Sequence, residues 1–115
     1  MIYAVQMPLP CGCPGPIKFG FATNVDTRIR ALQVGSPYEL TLLAVVEGDP
    51  VNEFEIHQQI ANHRMRGEWF APAPEVVALV QLMGNGVWKA AVEGTEARDE
   101  VAATERGLLA GIRKP

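Results

Sequence analysis

A strict alternation of side chains near the start of the chain limits its fold more than any other feature. Residues 17–22 have the sequence IKFGFA. Ile17, Phe19 and Phe21 point to one side of an extended backbone, and the intervening residues point to the other. This period of two indicates a strand with one buried face. Residues 2–6 (IYAVQ) form a second short strand, close enough along the chain to pair with the first as a hairpin with a wide loop.

A helix and a third strand follow this hairpin. The helix is indicated by apolar residues at helical spacing, namely Val25, Ile29 and Leu32, and by the capping side chains before them. Gly35 ends the helix. Residues 39–46 (ELTLLAVV) are apolar on both faces, so we expect this strand to be covered on both sides.

The remaining elements are helical. Asp49-Pro50 opens a second helix with proline in its first turn, and we expect it to run to about Met65 and to stop at Gly67. Residues 75–83 indicate a short buried helix. This order predicts an α+β fold in which a small three-stranded antiparallel sheet is flanked by helices.

The chain of 115 residues is long enough for one domain only. We assign residues 1–92 to this domain and residues 93–115 to a charged C-terminal helix or tail. No apolar run approaches the roughly 18 residues of a membrane span, and the N-terminus lacks the basic region of a signal peptide. We therefore expect a cytoplasmic protein without a membrane partner. Cys11 and Cys13 are expected to be two free loop thiols.

The charge distribution permits, but does not require, a nucleic-acid partner. The net charge is −3, whereas nucleic-acid-binding domains are commonly basic. Several acidic side chains are concentrated near the C-terminal end, namely Glu93, Glu96, Asp99, Glu100 and Glu105. Basic side chains in the earlier part of the chain include Lys18, Arg28, Arg30, Arg64 and Arg66. A modest basic patch can therefore coexist with the acidic total.

Two pairs of residues are candidates for a site. Lys18 and Gly20 share one strand face, where a glycine often marks the close approach of a ligand and a cation suits a phosphate. From this pair alone, a solvated lysine is the stronger interpretation. Glu53 and His57 are four residues apart on one ridge of the second helix, beside its apolar stripe. A divalent ion, a phosphate or a structural hydrogen bond could each satisfy them, and spacing alone does not decide.

Hydrolysis of a phosphodiester needs a group that activates the nucleophile, a cation that stabilises charge, and a carboxylate that holds a metal ion. Tyr3, Arg28 and Glu53 could supply one of each. Taken singly, the tyrosine is more often a packed aromatic residue, and the arginine is more often solvated. Arg28 borders the buried face of its helix, whereas Arg30 points further towards solvent.

Several motifs in this order resemble the GIY-YIG endonuclease superfamily, and above all its phage- and bacterial-type branch, often labelled a phage DNA-binding domain. They are Ile2-Tyr3, the tripeptide KFG, TRxRxLQxGxP, ExxxH and GEWF. The tripeptides are weak evidence singly, but the combination in register is strong. The similarity covers about residues 1–72.

This resemblance implies roles for individual positions. Tyr3 would take part in activating the nucleophile, Arg28 would contact the scissile phosphate, and Glu53 would bind a single Mg²⁺ or Mn²⁺ ion. Lys18, in place of the second motif's tyrosine, would hold a phosphate or lower the pKa of Tyr3 as a neighbouring cation. The other expected substrate contacts are Gly20, Arg30, His57, Arg64 and Arg66. Glu68 lies where relatives often carry a polar active-site residue.

The leading hypothesis is therefore a metal-dependent DNA endonuclease or nickase. One such site cuts one strand, so a double-strand break would need a homodimer or successive nicks. The first alternative is a catalytically weak DNA-binding module of the same fold. The second is a small accessory domain whose acidic tail binds another protein.

Overall fold

The computed structural model describes residues 1–89 and 91–92, which include five strands and three α-helices in succession. The strands are β1 (Ile2–Gln6), β2 (Ile17–Phe21), β3 (Thr41–Val46), β4 (Arg64–Arg66) and β5 (Trp69–Phe70). The helices are α1 (Val25–Val34), α2 (Pro50–Gln59) and α3 (Pro74–Asn85), with a 3-10 turn at Ala61–His63. The predicted α+β class, an antiparallel sheet flanked by helices, is confirmed.

The sheet has five strands rather than the predicted three, in the order β3-β1-β2-β5-β4. The two additional strands form a hairpin around Gly67, which has a positive φ of 58°. Gly67 therefore lies in a hairpin turn and not at the end of a helix, and the expected extension of α2 to Met65 is wrong. β4 has three residues and β5 two, which is too short for an alternating pattern to reveal them.

Alternation along β1 divides the core into two layers. Ile2 and Ala4 pack into the larger layer, which the sheet forms with α2 and α3. Tyr3 and Val5 point to the opposite face and pack against α1. Antiparallel pairing places Tyr3 opposite Gly20 and Val5 opposite Lys18. The side chain of Lys18 therefore begins on the face that α1 covers.

Side-chain caps set the starts of α1 and α2. The Asn24 side chain accepts a hydrogen bond from the Thr27 N–H at 3.0 Å, and α1 ends before Gly35 as predicted. Asp49 and Asn52 form a reciprocal capping box at the start of α2, with Pro50 in its first turn. Because the cap fixes where α2 begins, it also fixes Glu53 in the first turn of this helix.

β3 was expected to be covered on both sides, and this is wrong. It is an edge strand, and Leu42 and Val45 are 44% and 38% exposed. α3 lies against β3, and Leu43 and Val46 pack into the larger layer. The apolar character of the strand thus reflects one buried face and an exposed edge.

The β1–β2 loop contains both cysteines, and Cys11 and Cys13 are joined by a disulfide where free thiols were expected. At the other end of the chain, the predicted helix or tail at 93–115 lies outside the described residues. Within the described ranges, no helix is long and apolar enough to cross a membrane.

A substitution at Gly20 tests the β1–β2 register, which places Tyr3 opposite Gly20. A Cβ atom added there would lie 2.5 Å from the Tyr3 hydroxyl oxygen and 2.6 Å from Tyr3 Cζ. Overpacking of this kind costs about 1–3 kcal/mol, so we expect Gly20→Ala to lower the free energy of unfolding by that amount in urea denaturation.

Gly84→Ala is the matched control. Gly84 lies in α3, and an added Cβ would meet nothing within 4 Å. Alanine should therefore stabilise the helix by roughly 0.5–1 kcal/mol. Equal effects of the two substitutions would contradict the packing of Tyr3 over Gly20.

Candidate functional site

Two acidic side chains and one histidine converge beside β2. Glu53 and His57 lie on α2, and Glu68 precedes β5. One potential ligand atom of each residue lies within 4.8 Å of the others. We call these three residues the Glu–His–Glu cluster. All three are half-buried, so their charges are only partly screened by water.

Lys18 neutralises one member of this cluster. Its Nζ donates a hydrogen bond to Glu68 Oε1 at 2.6 Å, and the lysine side chain is only 12% exposed. Trp69 pairs with Lys18 between β5 and β2, and this pairing brings Glu68 beside the lysine. The short β4–β5 hairpin therefore assembles this part of the site.

His57 anchors α2 to β2 through a backbone hydrogen bond. Its Nε2 lies 2.8 Å from the carbonyl oxygen of Phe19. A carbonyl can only accept, so Nε2 carries the proton and donates. The same Nε2 lies 4.0 Å from Glu53 Oε2. Because Nε2 is committed to Phe19, only the Nδ1 lone pair of His57 remains for a ligand.

The two glutamates have opposite pKa shifts. Burial and the nearby charge and hydrogen bond of Glu68 raise the pKa of Glu53 from 4.5 to about 7, although Lys18 and Arg28 oppose this shift. Burial also tends to raise the pKa of Glu68. The hydrogen bond and charge of Lys18, with smaller contributions from Glu53 and His57, outweigh burial and lower the pKa from its usual value. Near neutral pH, one carboxylate is thus ionised and the other is poised between its two forms.

Arg28 is exposed on α1 and lies near enough to Glu53 for its charge to lower the pKa of that carboxyl. Its Nη1 is 3.5 Å from the carbonyl oxygen of Phe21, which is a long contact. The guanidinium is therefore close to the cluster and largely free to bind another partner.

Tyr3 is fully buried, and its hydroxyl has no hydrogen-bond partner among the described residues. The hydroxyl lies over Gly20. The sequence suggested that a ligand approaches Gly20 closely. In the structure, the Tyr3 side chain occupies that position. A buried hydroxyl without a partner costs about 1–3 kcal/mol, so its retention calls for an explanation.

The other predicted substrate contacts lie at the surface. Arg30 is exposed on α1. Arg64 and Arg66 are exposed on β4, an edge strand of the sheet. The Arg64 guanidinium carbon lies 5.5 Å from the centroid of the Phe70 ring. Their roles in binding a substrate stay predictions.

The cluster fits a divalent ion chemically. The two carboxylates provide the oxygen ligands that Mg²⁺ and Mn²⁺ prefer. The raised pKa of Glu53 arises partly from the neighbouring carboxylate. A bound cation would relieve this repulsion.

Glu68 is the member of the cluster whose role the sequence motifs left undefined. The GEWF motif marked its position, but its contacts depend on the β4–β5 hairpin, which the sequence did not predict. Only the three-dimensional pairing of Trp69 with Lys18 shows that Glu68 meets residues from β2 and α2.

The fold and this site define a small α+β domain with a carboxylate-rich, partly buried centre beside basic residues. A model of the T5orf172 domain matches residues 1–84. The chain belongs to this family, a phage-associated domain related to nuclease-type domains and compatible with a nuclease-like or DNA-binding role. Searches of curated proteins and of solved structures found no significant match.

The pKa of Glu53 leads to a prediction about stability in metal-free buffer. The folded-state pKa lies above the unfolded value, so the folded protein retains a proton that the unfolded chain releases. The contribution is present below about pH 4.5 and is lost as the pH rises through about 7. We expect the free energy of unfolding of the wild type to fall, relative to Glu53→Gln, by about 1–2 kcal/mol between pH 5 and 8, allowing for solvent screening.

Urea denaturation with EDTA at pH 5, 6, 7 and 8 measures this difference. Glutamine cannot ionise but can still donate to Glu68, so its curve should lack the decline. Substitution of an exposed carboxylate in Glu39→Gln serves as the control and should follow the wild type. Parallel curves for the wild type and Glu53→Gln would show that the Glu53 proton is not linked to folding.

Proposed function

We propose that this protein is a metal-dependent DNA endonuclease or nickase that hydrolyses one phosphodiester bond at the Glu–His–Glu cluster. The observation that carries the proposal is the convergence of Glu53 and Glu68 with Lys18 and Arg28. Membership of a nuclease-related family and the motif resemblance to GIY-YIG endonucleases support the same conclusion. Perturbed carboxylates also occur more often at active sites than on ordinary surfaces.

Each residue then has a chemical task. Glu53 would hold one divalent ion, Mg²⁺ or Mn²⁺, which when bound stabilises charge on the phosphate and on the leaving oxygen. Arg28 would bind a non-bridging phosphate oxygen through its exposed guanidinium. His57 would keep α2 against β2 through its bond to Phe19 and so maintain the position of Glu53.

Tyr3 would take part in activating the attacking water. Its buried hydroxyl has unused donor and acceptor capacity towards the described residues. A group that accepts or donates a proton in the transition state typically contributes about 100-fold or more to the rate. Because the hydroxyl is fully buried over Gly20, this role requires the packing around Tyr3 to open to the attacking water.

A DNA-binding module with weak catalysis is the second candidate. Exposed Arg30, Arg64 and Arg66 could contact phosphates without any chemistry. This candidate predicts DNA affinity that falls steeply with salt, together with no cleavage. In either case the partner is DNA. A single site would nick one strand, so a double-strand break would require a homodimer or a second event.

The decisive experiment is conversion of supercoiled plasmid to the nicked form with Mg²⁺, with Mn²⁺ and with EDTA. We expect cleavage only with metal. We expect losses of at least about 100-fold in Glu53→Gln and in Arg28→Ala, which remove the metal ligand and the phosphate contact respectively. Glu39→Gln should cleave like the wild type.

No nicking by a folded wild type, over linear, supercoiled and branched DNA, would refute the enzyme. A salt-dependent shift of the same DNA on gels would then identify the binding module. An absence of binding would leave the accessory-domain alternative.

Tyr3→Phe separates stability from activity. Loss of a buried, unpartnered hydroxyl should leave the free energy of unfolding unchanged or raise it by up to about 1 kcal/mol. Nicking should nevertheless fall about 100-fold or more. Urea denaturation and plasmid nicking on the same preparation measure both quantities.

Tyr38→Phe is the matched control, because Tyr38 is 40% exposed and lies in the loop between α1 and β3. It should change neither quantity. Full nicking activity in Tyr3→Phe would remove the hydroxyl from the mechanism.

A further inference from the structure

The Lys18–Glu68 ion pair and the Glu–His–Glu cluster share one carboxylate. Glu68 Oε1 lies 2.6 Å from Lys18 Nζ, and a ligand atom of Glu68 lies within 4.8 Å of those of Glu53 and His57. Glu68 therefore contacts the lysine and also lies close enough to Glu53 to share a cation with it. Two cations brought close to one carboxylate repel each other, and the binding of one weakens the hold of the other.

Glu68, rather than His57, is the expected second ligand of a metal ion at Glu53. The Nε2 of His57 donates to the carbonyl oxygen of Phe19, so the nitrogen that lies 4.0 Å from Glu53 Oε2 is already engaged. The Glu68 side chain is 42% exposed, and its main partner is the ammonium group of another side chain rather than the backbone. It can turn from one cation to the other more easily than His57 can.

Lys18 has less freedom than Glu68. Its side chain is 12% exposed, and its Nζ lies 6.0 Å from the centroid of the Trp69 ring. If Glu68 leaves, the ammonium group remains in a half-buried position with its charge uncompensated. The partner that suits such a group is an anion with strong acceptor oxygens, such as a phosphate.

We infer that Lys18 is a built-in counter-cation that neutralises Glu68 in the metal-free protein and is released when Glu68 becomes the second ligand of a metal ion at Glu53. This inference rests on the proposed function. Metal binding and phosphate binding are then coupled, because the same event that secures the ion frees an ammonium group for the substrate. Lys18 competes with the ion for Glu68 before it assists the reaction.

A double-mutant cycle on Mn²⁺ affinity tests the exchange without any measurement of cleavage. Isothermal titration calorimetry would give the dissociation constant of Mn²⁺ for the wild type, Lys18→Met, Glu68→Gln and the double variant. We expect Lys18→Met to tighten binding about tenfold when Glu68 is present, and by less than about twofold when it is glutamine. Glu68→Gln alone should weaken binding.

The effect of removing Lys18 in the presence and in the absence of Glu68 distinguishes direct competition for Glu68 from a general electrostatic effect on the metal ion. If Lys18 acted only through its charge, its removal would tighten binding equally in both backgrounds, and that result would overturn the inference. Lys18→Gln, which keeps a polar side chain, should repeat the result of Lys18→Met and provides a second variant if methionine impairs folding. Circular dichroism and thermal unfolding establish that each variant is folded.

Failure of the proposed function gives a different result. A folded wild type that binds no Mn²⁺ at millimolar concentration would remove the metal site and the exchange together. The wild type could instead bind Mn²⁺ and lose this binding in Glu53→Gln, while Lys18 and Glu68 show no coupling. That result would support the metal site and show that only the exchange is wrong.

Discussion

The register of β1 against β2 is the constraint on which the rest of the structure depends. It places Tyr3 opposite Gly20 and Val5 opposite Lys18, so the tyrosine hydroxyl and the lysine begin on the same face of the sheet. A shift by one residue would turn every side chain of one strand to the other face. The larger core layer and the candidate site would then be lost together. The core and the candidate site depend on this one register.

The Glu–His–Glu cluster imposes an electrostatic cost that the rest of the site offsets only in part. Burial and Glu68 raise the pKa of Glu53, whereas Lys18 and Arg28 act in the opposite direction. Lys18 satisfies Glu68 directly, which is why the two carboxyl groups differ. A structural ion pair needs one carboxylate and one cation. The additional carboxylate adds repulsion when it is ionised, and a ligand cation is the partner that we propose for it.

Much of the fold could be predicted from local patterns, and the missing parts have identifiable causes. Alternation located β2, and the Asp49-Pro50 cap located the start of α2 and hence Glu53. β4 and β5 escaped prediction because strands of three and two residues carry no period. Their absence also hid the position of Glu68, whose contacts depend on pairing between residues distant in the chain. Burial of the Tyr3 hydroxyl over Gly20 is likewise a property of packing that no spacing reveals.

The composition of the site bears on the choice between a nuclease and a simple DNA-binding module. DNA is an anion, and a module that only binds it gains from arginine and lysine and loses from every carboxylate near the phosphate. In this protein two carboxylates lie close to Arg28 and Lys18, the cations whose charges act on Glu53. Such an arrangement opposes phosphate binding unless a metal ion reverses the local charge. The cluster is therefore unfavourable for binding alone, which is why we propose metal-assisted catalysis ahead of a simple binding module.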